Sequence, residues 1–276
     1  MSLSRSTTTL LFLLANSCLA FTCLAAPKSE PWPMWEPHNP ASTIEVDHSA
    51  WQNFLDAYLV TDHDSGINLV NYAGVTTHNA QMLNDYVEGL FELDPRTLNR
   101  SEQFAYWINL YNAVTVRIVL KGYPTASITK LGKGFFSFGP WDDPVGKIAG
   151  VEITLNDIEH RVLRPIWQEP RIHFLVNCAS LGCPNLLPNA FTTHNVDSLL
   201  EQAARDFINH PRGVSITANT ITLSSIFDWY GDDFGSNRSE VLGYIVQYLP
   251  PVQAQQLLSG NARLRYAYDW KLNETK

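Results

Sequence analysis

Two cysteines five residues apart, Cys178 and Cys183, follow a nearly unbroken apolar run in RIHFLVNCASLGCPNL at 171–186. A thiol enzyme needs a thiolate, a base that removes its proton and a group that orients the base. His160 and His173 are the candidate bases; Glu102, Glu159, Asn109 and Asn112 are the candidate orienters. Cys183 is the preferred nucleophile, because Gly182 beside it permits close approach and leaves backbone N–H donors accessible. Cys178 ends the apolar run and reads as the more inert thiol. His160 is the preferred base, since the polar face of its helix can open on a cleft, whereas His173 lies inside the run. The catalytic set is therefore Cys183, His160 and Glu102. Asn109, Asn112, His173, Cys178 and Trp141 are candidates for binding.

The same spacing has a plainer reading. In an oxidising compartment two such cysteines form a disulfide by default, and so short a loop gains little chain entropy, so the bond would serve to fix local geometry. Zinc would need four ligands, and Cys178, Cys183 and His194 lack the paired spacing of a zinc site. No metal is expected. No phosphate-binding glycine loop, dinucleotide fingerprint, HExxH or GxSxG occurs, and no cofactor is expected.

These residues must be positioned by recognisable elements. Ile172–Cys178 reads as a short strand buried on both faces. SEQFAYWINLYNAVTVRIVL at 101–120 is the strongest helix, apolar around most of its circumference and hence buried. On it Glu102, Asn109 and Asn112 fall within a sector of about 80°, a polar stripe that either ties neighbouring loops or lines a site. Thr154-Leu155-Asn156-Asp157 reads as a capping box opening a helix to Leu163 or Arg164, stopped by Pro165. His160 and Arg164 then share its polar, exposed side, and Glu159 lies near the apolar one. Lys147–Ile153 reads as a hairpin turning at Gly150, and Gly132–Gly146, with Trp141, as a loop. Amphipathic helices are expected at about 49–59, 79–93 and 196–209. Shorter ones are expected at 239–249 and 252–258, and strand-like pieces at 68–72, 214–217, 220–223 and 263–270. With helices before, between and after short strands, the class is α+β in a single mixed domain, a buried central helix on a small, largely antiparallel sheet.

The first 26 residues read as a signal peptide, with Arg5 before an apolar stretch and small residues before Pro27. Residues 27–46, rich in Pro and Trp, read as an extended arm, and 47–276 as the domain. Cleavage would discard Cys18 and Cys23, leaving Cys178 and Cys183 as the only thiols, and would place the protein in the periplasm or outside the cell. The chain carries a net charge of −8 with no basic stripe, which argues against a nucleic-acid partner. No membrane span is expected; the partner class is a small molecule or a peptide.

Six ordered blocks together resemble the family catalogued as domain of unknown function 547. They are FAYWINLYNAVTVRIVL at 104–120, Pro140-Trp141, LNDIEHRVLRP at 155–165, RIHFLVNCASLGCPNL at 171–186, FDWYGDDF at 227–234 and YDWKLN at 268–273. The resemblance implies a core found in exported bacterial proteins and beside other domains in plant and animal proteins. A glutaredoxin-like domain is attached in some animal relatives, a hint at thiol chemistry. A distant likeness to papain-like or transglutaminase-like thiol enzymes goes with it. Two functions follow as expectations. One is a thiol-dependent hydrolase or transferase acting on peptide, amide or thiol compounds. The other is a non-catalytic domain binding a peptide or small ligand between the buried helix and the central strand, with a structural Cys178–Cys183 disulfide.

Overall fold

Asp47 accepts the N–H of Ser49 and starts α1 (Ser49–Tyr58), which buries Trp51, Phe54, Leu55 and Tyr58. The computed structural model describes residues 27–134, 137–260 and 262–275, so the expected signal peptide at 1–26 lies outside the described residues. A two-residue antiparallel pair, β1 (Leu59–Val60) with β2 (Leu69–Val70), follows. Thr76 then caps α2 (Thr77–Glu92) through the N–H of Asn79. Asn99 caps α3 (Arg100–Gly122) through the N–H of Glu102. Every residue of α3 from Glu102 to Arg117 is buried. α1 packs on α2 and α2 on α3, so the long helix is the centre of the molecule, as its apolar circumference requires.

The strands form small sheets away from α3. β3 (Gly146–Ile148) and β4 (Val151–Ile153) make the expected hairpin. Its two turn residues, Ala149 and Gly150, both have positive φ, the conformation a tight two-residue hairpin needs. Further on, α5 (Val196–Asn209) leads into β5 (Val214–Ile216) and β6 (Thr220–Ser224), an antiparallel pair to which β7 (Arg263–Ala267) adds in parallel. Between β6 and β7 run α6 (Ile226–Trp229), α7 (Gly231–Phe234), α8 (Arg238–Val246) and α9 (Pro251–Leu258). The architecture is a single mixed α+β domain in which α3 packs mainly on α2 and on the segment opened by the capping box. No helix among the described residues is long and apolar enough to cross a membrane.

That segment differs from expectation in an instructive way. Thr154 and Asp157 make the reciprocal cap, Thr154 Oγ1 accepting from Asp157 N and Asp157 Oδ2 from Thr154 N. The helix that follows is a π-helix at Asp157–Leu163, and it passes through Pro165 into α4 (Arg164–Trp167). The wider turn pairs Arg164 N with Glu159 O, which leaves the His160 carbonyl free, and Pro165 leaves that of Arg161 free. Both are taken by the N-terminal arm: Glu30 N donates to His160 O and Trp32 N to Arg161 O, each at 3.0 Å. Pro165 has no N–H to offer Arg161 O, so the arm supplies the donor that the proline lacks. The arm is thereby docked, with the Arg161 guanidinium 4.1 Å from the Trp32 ring centroid.

The expected strand at 172–178 is absent. Pro170–Phe174 forms a 3₁₀ helix, capped by the Glu169 carboxylate on Arg171 N, and the chain continues as an irregular buried segment. An apolar run marks burial but does not by itself distinguish a strand from another buried conformation. Two of the backbone groups that a strand would have given to a neighbouring strand are taken by one side chain. Asn112 Nδ2 donates to Leu175 O at 2.9 Å, and its Oδ1 accepts from Asn177 N at 2.8 Å. Asn109 does the same for Phe191, with bonds of 2.8 and 3.0 Å. The polar stripe of α3 is thus a set of backbone clamps.

Candidate active site

The two thiols occupy a turn held from several sides. Beyond the Asn112 bond, Asn177 closes the turn internally: its Oδ1 accepts from Ala179 N and its Nδ2 donates to Pro184 O. Ala179 has φ +56°, a left-handed conformation that a non-glycine residue adopts only when its surroundings impose it. The C-terminal segment lies alongside, with Leu181 N bonded to Lys271 O, Gly182 N to Asp269 O, and Asn273 N to Ala179 O. At Gly182 a Cβ would stand 2.7 Å from Asp269 N, so only glycine lets the two backbones meet. From the other side, Arg212 Nη1 donates to Leu181 O and Nη2 to Asn185 Oδ1.

Within this turn both cysteines are free thiols; the disulfide that spacing makes the default is absent. Cys183 Sγ accepts the N–H of Cys178 at 3.0 Å. Cys178 Sγ lies 2.9 Å from Tyr268 Oη and 3.2 Å from Ser180 Oγ, and the two hydroxyls are 3.1 Å apart. Burial pushes the Cys178 thiol up, but hydrogen bonds from Cys183, Ser180 and Tyr268 outweigh it and hold it below the ordinary thiol value. Burial, reinforced by Cys178, pushes Cys183 well above that value. Cys178 is also the more exposed of the two. The sequence pointed to Cys183 as the accessible thiol; the structure places it deeper than Cys178.

A second cluster adjoins the first. Glu159, His160, Arg164 and His173 are all buried, although the sequence placed His160 and Arg164 on an exposed face. The docked arm and α7 cover them: Arg164 Nη1 donates to Pro27 O, and its Nε and Nη2 make a bidentate pair with Asp233 at 2.6 and 3.0 Å. Tyr111 donates to Glu159 Oε2 at 3.0 Å. His173 lies in the 3₁₀ helix rather than in a sheet. Its Nε2 meets Asp233 Oδ2 at 2.7 Å, its Nδ1 lies 3.6 Å from Glu159, and its ring stacks on Tyr230 at 4.2 Å. Burial lowers His160 to about 4, so this ring is neutral at neutral pH. Burial pushes Glu159 up, but the histidines and Arg164 bring it to about 2. Asp233 is likewise lowered: His173 and Arg164 overcome its burial.

The expected catalytic set is not brought together. Glu102 Oε1 accepts Val46 N at 2.7 Å and so anchors the arm. His160 Nδ1 faces Arg164 Nη1 at 3.0 Å, and no hydrogen bond joins either His160 or His173 to a cysteine sulfur. Of the two readings of the polar stripe, the structure has the one that ties neighbouring segments: Asn109 and Asn112 both bond backbone groups. Trp141, half-buried, joins an aromatic cluster with Phe138 and Trp270 that reaches Tyr268 and Trp229. The residues that sequence reasoning missed are Ser180, Tyr268, Asp233 and Arg212. Tyr268 and Asp233 stand inside the YDWKLN and FDWYGDDF blocks, and Ser180 lies between the cysteines. Among the described residues no group of three or more His, Cys, Asp or Glu is placed to hold a metal ion. A large open cleft of about 820 Å³ contains neither cysteine; its lining includes Asn185, Arg205, Asp206, His210 and Tyr248.

Fold and site together define a mixed α+β domain with a buried dithiol turn beside a buried ion cluster. Residues 95–208 match the model of a family described as "Protein of unknown function, DUF547", and the match supports a relationship to that family over this stretch. The matched stretch holds α3, the π-helix and both cysteines, whereas Tyr230, Asp233 and Tyr268 lie beyond it. Comparison with curated proteins and with solved structures gives no match.

Proposed function

We propose that the protein is a thiol-dependent transferase or hydrolase acting on a thiol, amide or peptide compound, with Cys178 as its nucleophile. The observation that carries this reading is the triangle of Cys178 Sγ, Tyr268 Oη and Ser180 Oγ. Ser180 Oγ donates to Tyr268 Oη, which leaves the Tyr268 hydroxyl to donate to the sulfur. Such a donor favours the thiolate, and a thiol already held toward the thiolate needs no histidine in contact to become reactive. Burial, together with the two neighbouring thiols, raises Tyr268 well above the usual phenol value, so it stays protonated. As Cys178 attacks, its charge passes into the new bond, and the Tyr268 hydroxyl is left free to donate to the departing group. His173, Glu159, Arg164 and Asp233 act as positioning residues in this scheme, fixing the 3₁₀ helix that leads to the thiol turn.

The test is the pH dependence of Cys178 alkylation in the parent and in Tyr268→Phe. A hydrogen bond to a charged group is worth about 1.5–3 kcal/mol, so its loss should raise the Cys178 pKa by roughly 1–2 units. An unchanged pH profile would remove Tyr268, and with it the basis of the reading. The open cleft supports a second reading, a non-catalytic domain that binds a peptide or small polar ligand. Binding abolished by Arg205→Ala and indifferent to Cys178→Ser would favour that one.

A further inference from the structure

We infer that Cys178 and Cys183 act as a dithiol pair on disulfide-bonded substrates, Cys178 attacking and Cys183 resolving. This rests on Cys178 being the nucleophile, and it names the substrate class. Three observations carry it. Both sulfurs are free, and Cys183 Sγ lies 3.0 Å from the backbone nitrogen of the attacking residue itself. Cys183 is 3% exposed while Cys178 is only half-buried, so a substrate meets Cys178 first and Cys183 can react only with sulfur presented there. The turn between them is fixed by Asn112, Asn177, Arg212 and the C-terminal segment, which holds the second thiol in place before the first has reacted.

The chemistry balances without a further group. The Cys178 thiolate attacks one sulfur of R–S–S–R′; the S–S bond breaks, and R′–S⁻ leaves and is protonated from solvent. Cys178 now carries R–S in a mixed disulfide and has lost its charge. That charge was one of the influences raising Cys183, so the second thiol ionises more readily after the first step. Cys183 then attacks Cys178 Sγ, and its proton goes to the departing R–S⁻. Two electrons pass from the dithiol to the substrate, giving R–SH, R′–SH and a Cys178–Cys183 disulfide. An external small-molecule dithiol returns the pair to its reduced form.

The test uses the full chain with Cys18→Ala and Cys23→Ala, so that Cys178 and Cys183 are its only thiols. The reduced protein, freed of reductant, is mixed with excess of the aryl disulfide of thionitrobenzoic acid, and release is followed by absorbance. Two equivalents of thionitrobenzoate per chain are expected, the second at a rate independent of probe concentration. The intact mass should show an internal disulfide and no adduct. Cys183→Ala should halve the release and retain one adduct at Cys178. A parent chain that keeps an adduct on Cys178 overturns the dithiol step but leaves the nucleophile in place. A second release that rises with probe concentration means two independent thiols and also overturns it. No reaction at Cys178 overturns both readings. Should Cys183→Ala fail to fold, the concentration dependence in the parent decides alone.

Discussion

Replacing Asn112 with leucine should unfold the protein more easily and, separately, loosen the thiol turn. Asn112 is 1% exposed, and its amide satisfies one backbone acceptor, Leu175 O, and one donor, Asn177 N. Leucine can serve neither. A buried polar group stripped of its partner costs about 1–3 kcal/mol, so the two orphans together should cost roughly 2–6 kcal/mol. The larger apolar side chain recovers little of this, because the site is already filled. Urea denaturation should show a lower midpoint at unchanged slope. Asn109→Leu, which strips Phe191 of the same two bonds, is the control: it should cost a similar amount of stability. The two variants should part in reactivity, since only Asn112 holds Asn177, the residue immediately before Cys178. Cys178 alkylation should change in Asn112→Leu and stay near the parent rate in Asn109→Leu. A midpoint equal to the parent's would refute the clamp, and equal effects of both variants on Cys178 would refute its link to the thiol turn.

Stability should fall as pH drops from about 6.5 toward 4, because burial holds both His48 and His160 at about 4. Below 6.5 the unfolded chain takes up protons that the fold refuses, so these groups destabilise the fold by roughly 3 kcal/mol each across the window. Urea midpoints against pH read this directly, and a flat profile would contradict it. Glu159, lowered to about 2, adds a further loss as pH falls below the usual carboxylate range toward that value. Asp233→Asn should destabilise by roughly 3–5 kcal/mol, because it leaves the buried Arg164 guanidinium without its bidentate partner. Its effect should lie toward the lower end, since the Asp233 side chain is 21% exposed. Equal thermal stability of variant and parent would show that the pair is dispensable.

Features set by local pattern were legible in the sequence. The apolar circumference of α3 marked it as buried, and the Thr154–Asp157 spacing marked a reciprocal cap. Features set by distant partners were not. The segment 172–178 has the apolar run of a strand, yet two of its backbone groups are held by Asn112, more than sixty residues earlier. Pro165 signals a helix stop, and the helix continues because arm residues Glu30 and Trp32 take the carbonyls that the π-turn and Pro165 leave free. His160 and Arg164 lie on the polar side of their helix but are buried by that arm and by Asp233. The relative exposure of the two thiols was not legible for the same reason. The flanking Gly182 pointed to Cys183, whereas Cys178 is the more exposed and lies against the Tyr268 hydroxyl, a partner ninety residues away.

The most direct measurement is which cysteine reacts first. The reduced protein is treated near neutral pH with less than one equivalent of iodoacetamide and digested, and fragment masses locate the label. Cys178 should carry nearly all of it, at a rate above that of free cysteine, with Cys183 modified only after denaturation. Labelling of Cys183 first, or of both at the slow rate of an ordinary buried thiol, would contradict the assignment of Cys178 as the nucleophile.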